Sequence, residues 1–364
     1  MIRLGMSSRP PRPAASFETS AAVQNTGNGR DHARLFLSSL VCVSLLTLAS
    51  GGCSRGETPA PAERPDAFEV GLLTTGSIND AGWNALGYEG LRRIREELGA
   101  EVTHLETNSA AEHPESLGTL GRQGFDLVFG HGYEFQSAVL DTAADYPKTQ
   151  FVTTSGSRIA ANVSPQVFEF DEPAYLLGMI AAMESRSGKA GVIGAVQLPP
   201  IASTFLAFRK GARSIDPDFE VHEVYIGLAD ENETRLAALA LADAGCDVLM
   251  HQLSAQGPAV IEVCRERDLR CFGTSRGQND LAPEVMVASA VVDVPEAFVA
   301  IARLVKSGKF TPKAYSFGLK DGIVTLAWNE RHRLTLAPEK MKLLDETEEA
   351  MREGRFVMPA GGGG

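Results

Sequence analysis

Short apolar runs alternate with amphipathic, helix-like stretches along most of this chain. Almost continuous apolar character predicts buried parallel strands, which are Phe68–Leu73, Glu101–Leu105, Asp126–Phe129, Gln150–Thr154, Ala190–Val196, Val221–Ile226, Asp247–His251 and Arg270–Thr274. Helical spacing of apolar residues predicts Trp83–Leu98, Ala174–Met183, Glu231–Ala244 and Pro295–Lys306. Strands separated by helices form right-handed βαβ units, so the pattern predicts an α/β protein with covered parallel sheets.

Clusters of polar residues follow six of these predicted strands. They occupy residues 76–84, 130–134, 155–158, 197–204, 251–256 and 275–280. Ligands of open α/β sheets bind at the carboxyl ends of the strands. Six clusters divided over two sheets therefore predict two lobes that face each other across a cleft.

The first 67 residues have a different pattern. Five arginines precede the apolar run Leu35–Ala49, and small residues follow it up to Cys53. A basic segment, an apolar run of about 15 residues and small residues are typical of a secretory signal, and a membrane span needs roughly 20 residues. Residues 1–53 are therefore predicted to be a signal peptide, with a short buried helix as the alternative for the run.

The end of that segment resembles a bacterial lipobox, which implies that Cys53 is lipidated and becomes the mature N-terminus. Simple cleavage nearby is the alternative. Residues 54–67 are rich in Pro, Ala and Glu and are predicted to be a flexible tether. One lipidated end would anchor the protein to a membrane without spanning it.

Charge and cysteine content exclude several classes of protein. The formal net charge of −12 argues against binding to nucleic acid, which needs a basic face. Apart from Cys42 and Cys53, the chain has three cysteines, Cys246, Cys264 and Cys271. An odd number of cysteines cannot form a complete disulfide framework. Free buried thiols are expected, with a Cys264–Cys271 pair as the alternative. No spacing suggests a metal site, and no cofactor is expected.

The sequence lacks the usual motifs of an enzyme. It contains no phosphate-binding loop, no zinc-binding helix with paired histidines and no nucleophile elbow. Asp80 with His131 or His251 could form an acid–base pair across a cleft, but their spacing does not require it. We therefore expect a binding protein and not an enzyme.

Residues Ser77–Asn84, followed by Tyr88–Leu91, resemble the opening motif of the basic membrane protein family. Members of this family are substrate-binding lipoproteins of ABC importers. Further segments resemble the same family, namely Gly124–Gly130, Asp171 with Ala174–Ala182, Phe208 with Gly211–Arg213, and Ala244–Leu249. The similarity covers nearly all of the chain from Phe68 to about Glu330.

The resemblance implies a type I periplasmic-binding-protein fold, with two Rossmann-like lobes, parallel sheets and a hinge. Lobe one would contain residues 68–171 and 275–308, and lobe two residues 172–274 and 309–335. Residues 336–364 would form a C-terminal helix and a glycine tail.

The resemblance also implies a function in the cell envelope, on the periplasmic or extracellular side. The protein would be lipid-anchored, capture a purine nucleoside or nucleobase between its lobes and deliver it to an ABC permease with its ATPase. A ligand-sensing lipoprotein that signals to a membrane partner without transport is the alternative.

A flat ring needs an aromatic stacking partner and polar groups along its edge. Trp83 suits the stacking role, with Tyr133 or Phe205 as the facing ring. Asn79 and Asp80 could bind the ring edge or a sugar, and Asn84 follows one helical turn later. Two alternatives remain: Trp83 could anchor the first helix in the core, and Asn79 or Asp80 could cap that helix.

The remaining candidate residues follow strands of the second lobe. They are His251, Gln252, Ser275 and Asp280, although a histidine at a strand end can equally be structural. Near Ser275 the nucleoside-binding members carry an acidic residue that holds ribose, and near Val292 or Asp293 they carry a lysine. Asp280 is the nearest replacement for that acid. The usual grip on ribose is therefore missing, which favours a free nucleobase over a nucleoside.

Overall fold

The structure, a computed structural model, describes residues 67–227 and 230–359. The predicted signal peptide, Cys53, most of the tether and the last glycines lie outside these residues. Within the described ranges, no helix is both long enough and apolar enough to cross a membrane.

The described residues form two α/β lobes, each built on a six-stranded sheet. The sheet of lobe one contains β1 Glu69–Thr74, β2 Glu101–Glu106, β3 Leu127–His131, β4 Gln150–Thr154, β5 Val163–Phe168 and β11 Tyr315–Phe317. The sheet of lobe two contains β6 Lys189–Gly194, β7 Glu220–Tyr225, β8 Val248–Gln252, β9 Arg270–Ser275, β10 Met286–Val292 and β12 Val324–Trp328.

Helices cover the sheets. They are α1 Trp83–Leu98, α2 His113–Gln123, α3 Gln136–Ala143, α4 Asp171–Glu184, α5 Pro199–Ile215, α6 Glu231–Asp243, α7 Gly257–Arg267, α8 Val294–Lys306, α9 Glu330–Arg333 and α10 Pro338–Arg352. The apolar residues between helices and sheets form one large core cluster and two smaller ones.

The two sheets have the same order of strands. The first runs β11-β5-β4-β3-β1-β2 and the second runs β12-β10-β9-β8-β6-β7. The pairings are parallel except at one edge, where β12 runs antiparallel to β10. The predicted α/β fold with two Rossmann-like lobes is therefore confirmed, and all eight predicted strands and four predicted helices are present with small changes of boundary.

The predicted division of the chain into lobes is wrong in two places. β10 was assigned to lobe one, but it pairs with β9 in the sheet of lobe two. β11 was assigned to lobe two, but it pairs with β5 in lobe one. Parallel neighbours are usually joined through a helix of a dozen residues or more, whereas β9 and β10 are joined by a short loop with a single 3-10 turn.

The chain crosses between the lobes three times, after β5, after β10 and after β11. Helix α8 returns to lobe one, where the ring of Phe298 stacks on Phe129 of β3 with 4.0 Å between the ring centroids. Helix α4 packs against α5 and the second sheet. These three crossings form the hinge region between the lobes.

Candidate functional site

A cavity of about 450 Å³ lies between the two lobes. Loops after β1, β3, β4 and β5 line it from lobe one, and loops after β6, β8 and β9 line it from lobe two. All seven loops follow the carboxyl ends of strands, where α/β sheets bind ligands. The aromatic lining residues are Trp83, Tyr133, Phe168 and Phe170.

The start of α1 is fixed by the carboxylate of Asp80. Its Oδ1 accepts hydrogen bonds from the backbone N–H of Gly82 (2.9 Å) and Ala85 (3.0 Å), and its Oδ2 accepts one from Asn84 (3.0 Å). Three backbone donors use most of the capacity of this carboxylate, so Asp80 caps the helix. The helix then begins with Trp83 and Asn84, whose side chains line the cavity.

The indole of Trp83 is held by two other rings. His131 stacks on one face with 4.4 Å between centroids and 15° between planes. Phe168 approaches edge-on, with its centroid 5.9 Å away. The part of the indole that remains accessible is therefore the part that borders the cavity, and its orientation is fixed before any ligand arrives.

His131 has a single consistent protonation state. Its Nε2 lies 2.8 Å from the backbone carbonyl oxygen of Trp83, and because a carbonyl only accepts, Nε2 carries the proton. Its Nδ1 then accepts from the hydroxyl of Thr154 at 3.2 Å. Burial lowers the pKa of His131 to about 4, although the Trp83 carbonyl and the charge of Asp80 raise it. His131 is therefore a neutral support beneath Trp83.

Two side-chain amides line the cavity from opposite lobes. Asn84 belongs to lobe one and Gln252 to lobe two. The Oδ1 atom of Asn84 and the Oε1 atom of Gln252 are buried and have no hydrogen-bond partner among the described residues. An unpaired buried acceptor costs about 1–3 kcal/mol. A ligand that presents N–H or O–H groups in the cavity would remove this cost.

Two serines in a strained backbone conformation line the cavity at matching positions. Ser155 follows β4 and has φ of 61°, and Ser275 ends β9 and has φ of 71°. The strands β4 and β9 hold the same place in their sheets. Such left-handed conformations are unusual outside glycine and concentrate at functional sites.

The lobes touch each other beside the cavity. The backbone N–H of Trp83 donates to Oγ of Ser254, which follows β8, at 3.2 Å. Gly82 is needed there, because a Cβ atom at that position would lie 2.5 Å from Ser254. On another side, Arg276 of lobe two forms an ion pair with Glu89 of α1 at 2.7 Å.

Six of the ten predicted ligand-binding residues line the cavity, namely Asp80, Trp83, Asn84, Tyr133, Gln252 and Ser275. Their role in binding remains a prediction. The loops bring these residues together because each one follows a strand end or begins the helix after it.

Four predicted residues do not line the cavity. Asn79 is exposed, one residue before the capping Asp80, and Asp280 is exposed in the 3-10 turn after β9. Phe205 is wholly buried, because its face of α5 packs into the core, where its ring contacts Tyr225. It therefore does not face Trp83. His251 is also wholly buried, and its ring packs close to Gly257 of α7.

The segment from the end of β5 to the start of α4 contributes residues that the sequence interpretation missed. Phe168, Glu169, Phe170 and Asp171 all line the cavity. They were missed because β5 contains Pro165 and two polar residues, which argue against a central strand. The aromatic–acidic alternation in this segment was the signal that could have revealed them.

Within the described ranges, no group of three or more His, Cys, Asp and Glu side chains is arranged to hold a metal ion. The cysteines Cys246, Cys264 and Cys271 are free and buried. Burial raises the pKa of Cys246 to about 11, and the pKa of Cys264 is likewise raised by burial and by its neighbour Cys271.

Two lobes that enclose a cavity between facing sheet edges, with aromatic walls and unpaired amides, define a solute-binding protein. The comparison with known families specifies which kind. Residues 67–356 match the Bmp family, described as PnrA-like substrate-binding proteins of ABC transporters. The chain belongs to this family, whose members bind substrates and are not catalytic, and the resemblance drawn from the opening motif is confirmed.

Relatives of known name share about a quarter of their residues with the chain. A purine-binding protein of Brucella abortus is 28% identical over 300 residues, which cover 81% of this chain and 84% of the relative. A transcriptional activator protein of Bacillus subtilis is 27% identical over 289 residues, covering 79% and 89%.

Solved structures agree on the fold. A solute-binding protein of an ABC transporter from Aeropyrum pernix has a TM-score of 0.72 and 20% identity, covering 81% of this chain and 94% of that one. At this level of identity the likeness concerns the fold alone.

Proposed function

We propose that this protein captures a purine nucleobase or nucleoside between its lobes and delivers it to an ABC permease. The observation that carries the proposal is the pair of unpaired amide oxygens, on Asn84 and Gln252, beside the oriented indole of Trp83. A purine offers a flat face for the indole and N–H groups for the amides. A cavity of about 450 Å³ lies within the usual range for small-molecule sites, roughly 300–1,000 Å³.

A free base is the preferred ligand within this class. Ser275 lines the cavity near the position where nucleoside-binding members carry an acidic residue, and none of the described residues that line the cavity is a lysine. Asp280, the residue that could have replaced the acid, does not line it. The name of the Brucella relative supports the purine assignment, because that protein is called purine-binding.

The proposed location is the cell envelope, with the chain anchored through a lipid on Cys53 and facing away from the cytoplasm. The basic segment, apolar run and small residues that end at Cys53 support this proposal. Mass spectrometry of the membrane-associated protein tests it, because lipidation predicts a blocked N-terminus at Cys53, whereas simple cleavage leaves a free one.

A thermal-shift screen with purine bases and nucleosides tests the ligand class. Ligand at about 100 times its Kd should stabilise the protein by roughly 2.7 kcal/mol. If no purine compound raises the melting temperature, the purine assignment is wrong.

Variants of the two amides make this test specific. Asn84→Leu and Gln252→Met remove the unpaired oxygens at similar volume, so each should abolish most of the shift without lowering the stability of the empty protein. Gln166→Met is the matched control, because the amide of Gln166 is also buried and unpaired but does not line the cavity. A control variant that loses binding equally would contradict the assigned role.

Delivery requires a separate measurement. Uptake of radiolabelled adenine should fall when the gene is deleted and recover with the wild-type copy but not with Asn84→Leu. Unchanged uptake together with intact binding would instead favour the ligand-sensing alternative.

A further inference from the structure

The walls of the interlobe cavity carry charge of only one sign. Four acidic residues line it, namely Asp80, Glu134, Glu169 and Asp171. None of the lining residues is Lys, Arg or His. An anionic ligand would therefore meet repulsion with no cation to neutralise it.

Three of these carboxylates have partners or positions that serve the fold. Asp80 accepts three backbone hydrogen bonds at the start of α1. Asp171 accepts from the hydroxyl of Ser203 at 2.6 Å and lies in the first turn of α4, where the helix dipole stabilises negative charge. Glu169 lies at the hinge, where its side chain packs close to Gly318.

Glu134 differs from Asp80 and Asp171, whose carboxylates accept hydrogen bonds from other residues. Among the described residues, its carboxylate forms no ion pair and no hydrogen bond with another residue, and it interacts only with its own backbone N–H. Its backbone is hydrogen-bonded to His113. The residue is exposed and lines the cavity, and the protein atoms near its carboxylate raise its pKa by partial desolvation. A ligand that displaces water from this carboxylate leaves its charge in need of a hydrogen bond, and a donor on the ligand supplies it.

Glu134 also adds a charged acceptor to the polar residues that line the cavity. The unpaired oxygens of Asn84 and Gln252 accept hydrogen bonds, and the carboxylate of Glu134 accepts them with a negative charge. Hydrogen bonds to a charged acceptor are about twice as strong as neutral ones. A ligand rich in N–H groups satisfies all three.

We propose that Glu134 is a specificity-determining residue, which accepts a hydrogen bond from the ligand and restricts the site to neutral or cationic nitrogen heterocycles without phosphate. This inference rests on the proposed function and narrows it, because it separates amino-substituted bases from deprotonated or phosphorylated ones.

The test compares adenine, which is neutral, with urate, an anion of nearly the same shape. Titration calorimetry of the mature protein should give a Kd for adenine at least about tenfold lower than for urate, a difference of about 1.4 kcal/mol. Glu134→Gln keeps the shape but removes the charge, so it should reduce that ratio several-fold, mainly through tighter binding of urate. Glu339→Gln, at the exposed start of α10, makes the same change of charge away from the cavity and should leave the ratio unchanged.

Two results would overturn the inference: equal or tighter binding of urate by the wild type, or an unchanged ratio in Glu134→Gln. A panel of neutral, cationic and anionic bicyclic heterocycles tests this inference separately from the purine assignment. If purines do not bind, but other neutral or cationic heterocycles bind and respond to Glu134→Gln, the role of Glu134 is supported and the purine assignment is wrong. If only anionic compounds bind, or if no compound of the panel binds, the proposed role of Glu134 is wrong as well.

Discussion

Trp83 illustrates what a single residue does in this site and what the sequence could tell about it. Its place at the start of α1 could be predicted from the turn that precedes it. Its support could not, because His131 and Phe168 come from β3 and β5, far along the chain. The two earlier alternatives, ligand contact and helix anchor, are both compatible with this geometry, since the indole is supported on one side and borders the cavity on another.

Replacing this ring should separate the two alternatives. We expect Trp83→Ala to weaken purine binding by about 1–3 kcal/mol, the usual contribution of stacking on an aromatic ring. The loss should appear in calorimetric titration, while circular dichroism stays that of a folded protein. Trp83→Phe, which keeps a stacking surface, should recover most of the affinity. Global unfolding of the alanine variant would favour the anchoring role.

His251 carries a prediction about pH. Burial lowers its pKa from 6.5 to about 4, and neither ring nitrogen has a hydrogen-bond partner among the described residues. The unfolded chain therefore binds a proton between these two pH values while the folded chain does not. Stability should fall as the pH drops through this window, by about 3 kcal/mol for each such histidine, and His131 adds a second contribution.

Urea unfolding at neutral and acidic pH measures this effect. His251→Leu removes one titrating group and should flatten part of the pH dependence, because His131 and the other histidines whose pKa burial lowers, His104, His113 and His332, retain their shares. His222→Asn, a substitution of a histidine that is 40% exposed, is the comparison variant. An unaltered slope in His251→Leu would show that another group is responsible.

At the scale of elements, the contact between α4 and α5 depends on two glycines. A Cβ atom on Gly178 would lie 1.9 Å from the carbonyl oxygen of Phe208, and one on Gly211 would lie 1.9 Å from that of Tyr175. Each helix thus packs a glycine against the backbone of the other. The sequence shows an apolar α4, but only the structure reveals why small residues are required at these two points.

Gly178→Ala should force these helices apart. Overpacking costs about 1–3 kcal/mol in ordinary cores, and contact with a backbone atom should place this variant at or above the upper end. Thermal unfolding measures the loss. Gly118→Ala in α2 is the matched control, because its nearest neighbour is the flexible end of Arg122 at 3.2 Å. Equal destabilisation by both substitutions would contradict the role assigned to the glycine contact between α4 and α5.

The elements that could be predicted share a strong local signal. Strands such as β1 and β8 are continuous apolar runs, and α6 begins with Asp230 in a capping box. Those that could not be predicted depend on partners distant in sequence. β5 is a central strand despite Pro165, and β10 reaches its place through a link with no long helix. For this reason the sequence placed β10 and β11 in the wrong lobes.

At the scale of the whole molecule, an ion pair between Arg276 and Glu89 joins the lobes. Arg276 and Glu89 are partly exposed, and exposed pairs contribute about 0–1 kcal/mol. The pair bridges two lobes, so its effect should appear in the equilibrium between open and closed forms more than in the stability of either lobe.

We therefore expect Arg276→Gln to weaken ligand binding by no more than about fivefold, as 1 kcal/mol allows, and the difference should shrink at high salt. Surface plasmon resonance at two salt concentrations measures both effects. Arg122→Gln is the matched control, because its pair with Glu115 has the same length, 2.7 Å, but lies within lobe one. A salt-independent loss of affinity would point to a direct ligand contact of Arg276.

The hydrogen bond from the Trp83 N–H to Ser254 joins the two lobes at the edge of the cavity and must break when they separate. The cavity is walled by both lobes, so an enclosed ligand can exchange with solvent only as fast as the lobes separate. Hinge motions of this kind take microseconds to milliseconds. We expect the observed association rate to reach a plateau at high ligand concentration, because the opening of the lobes and not diffusion then limits it. The residence time of the ligand would depend on the hinge as much as on the contacts in the cavity.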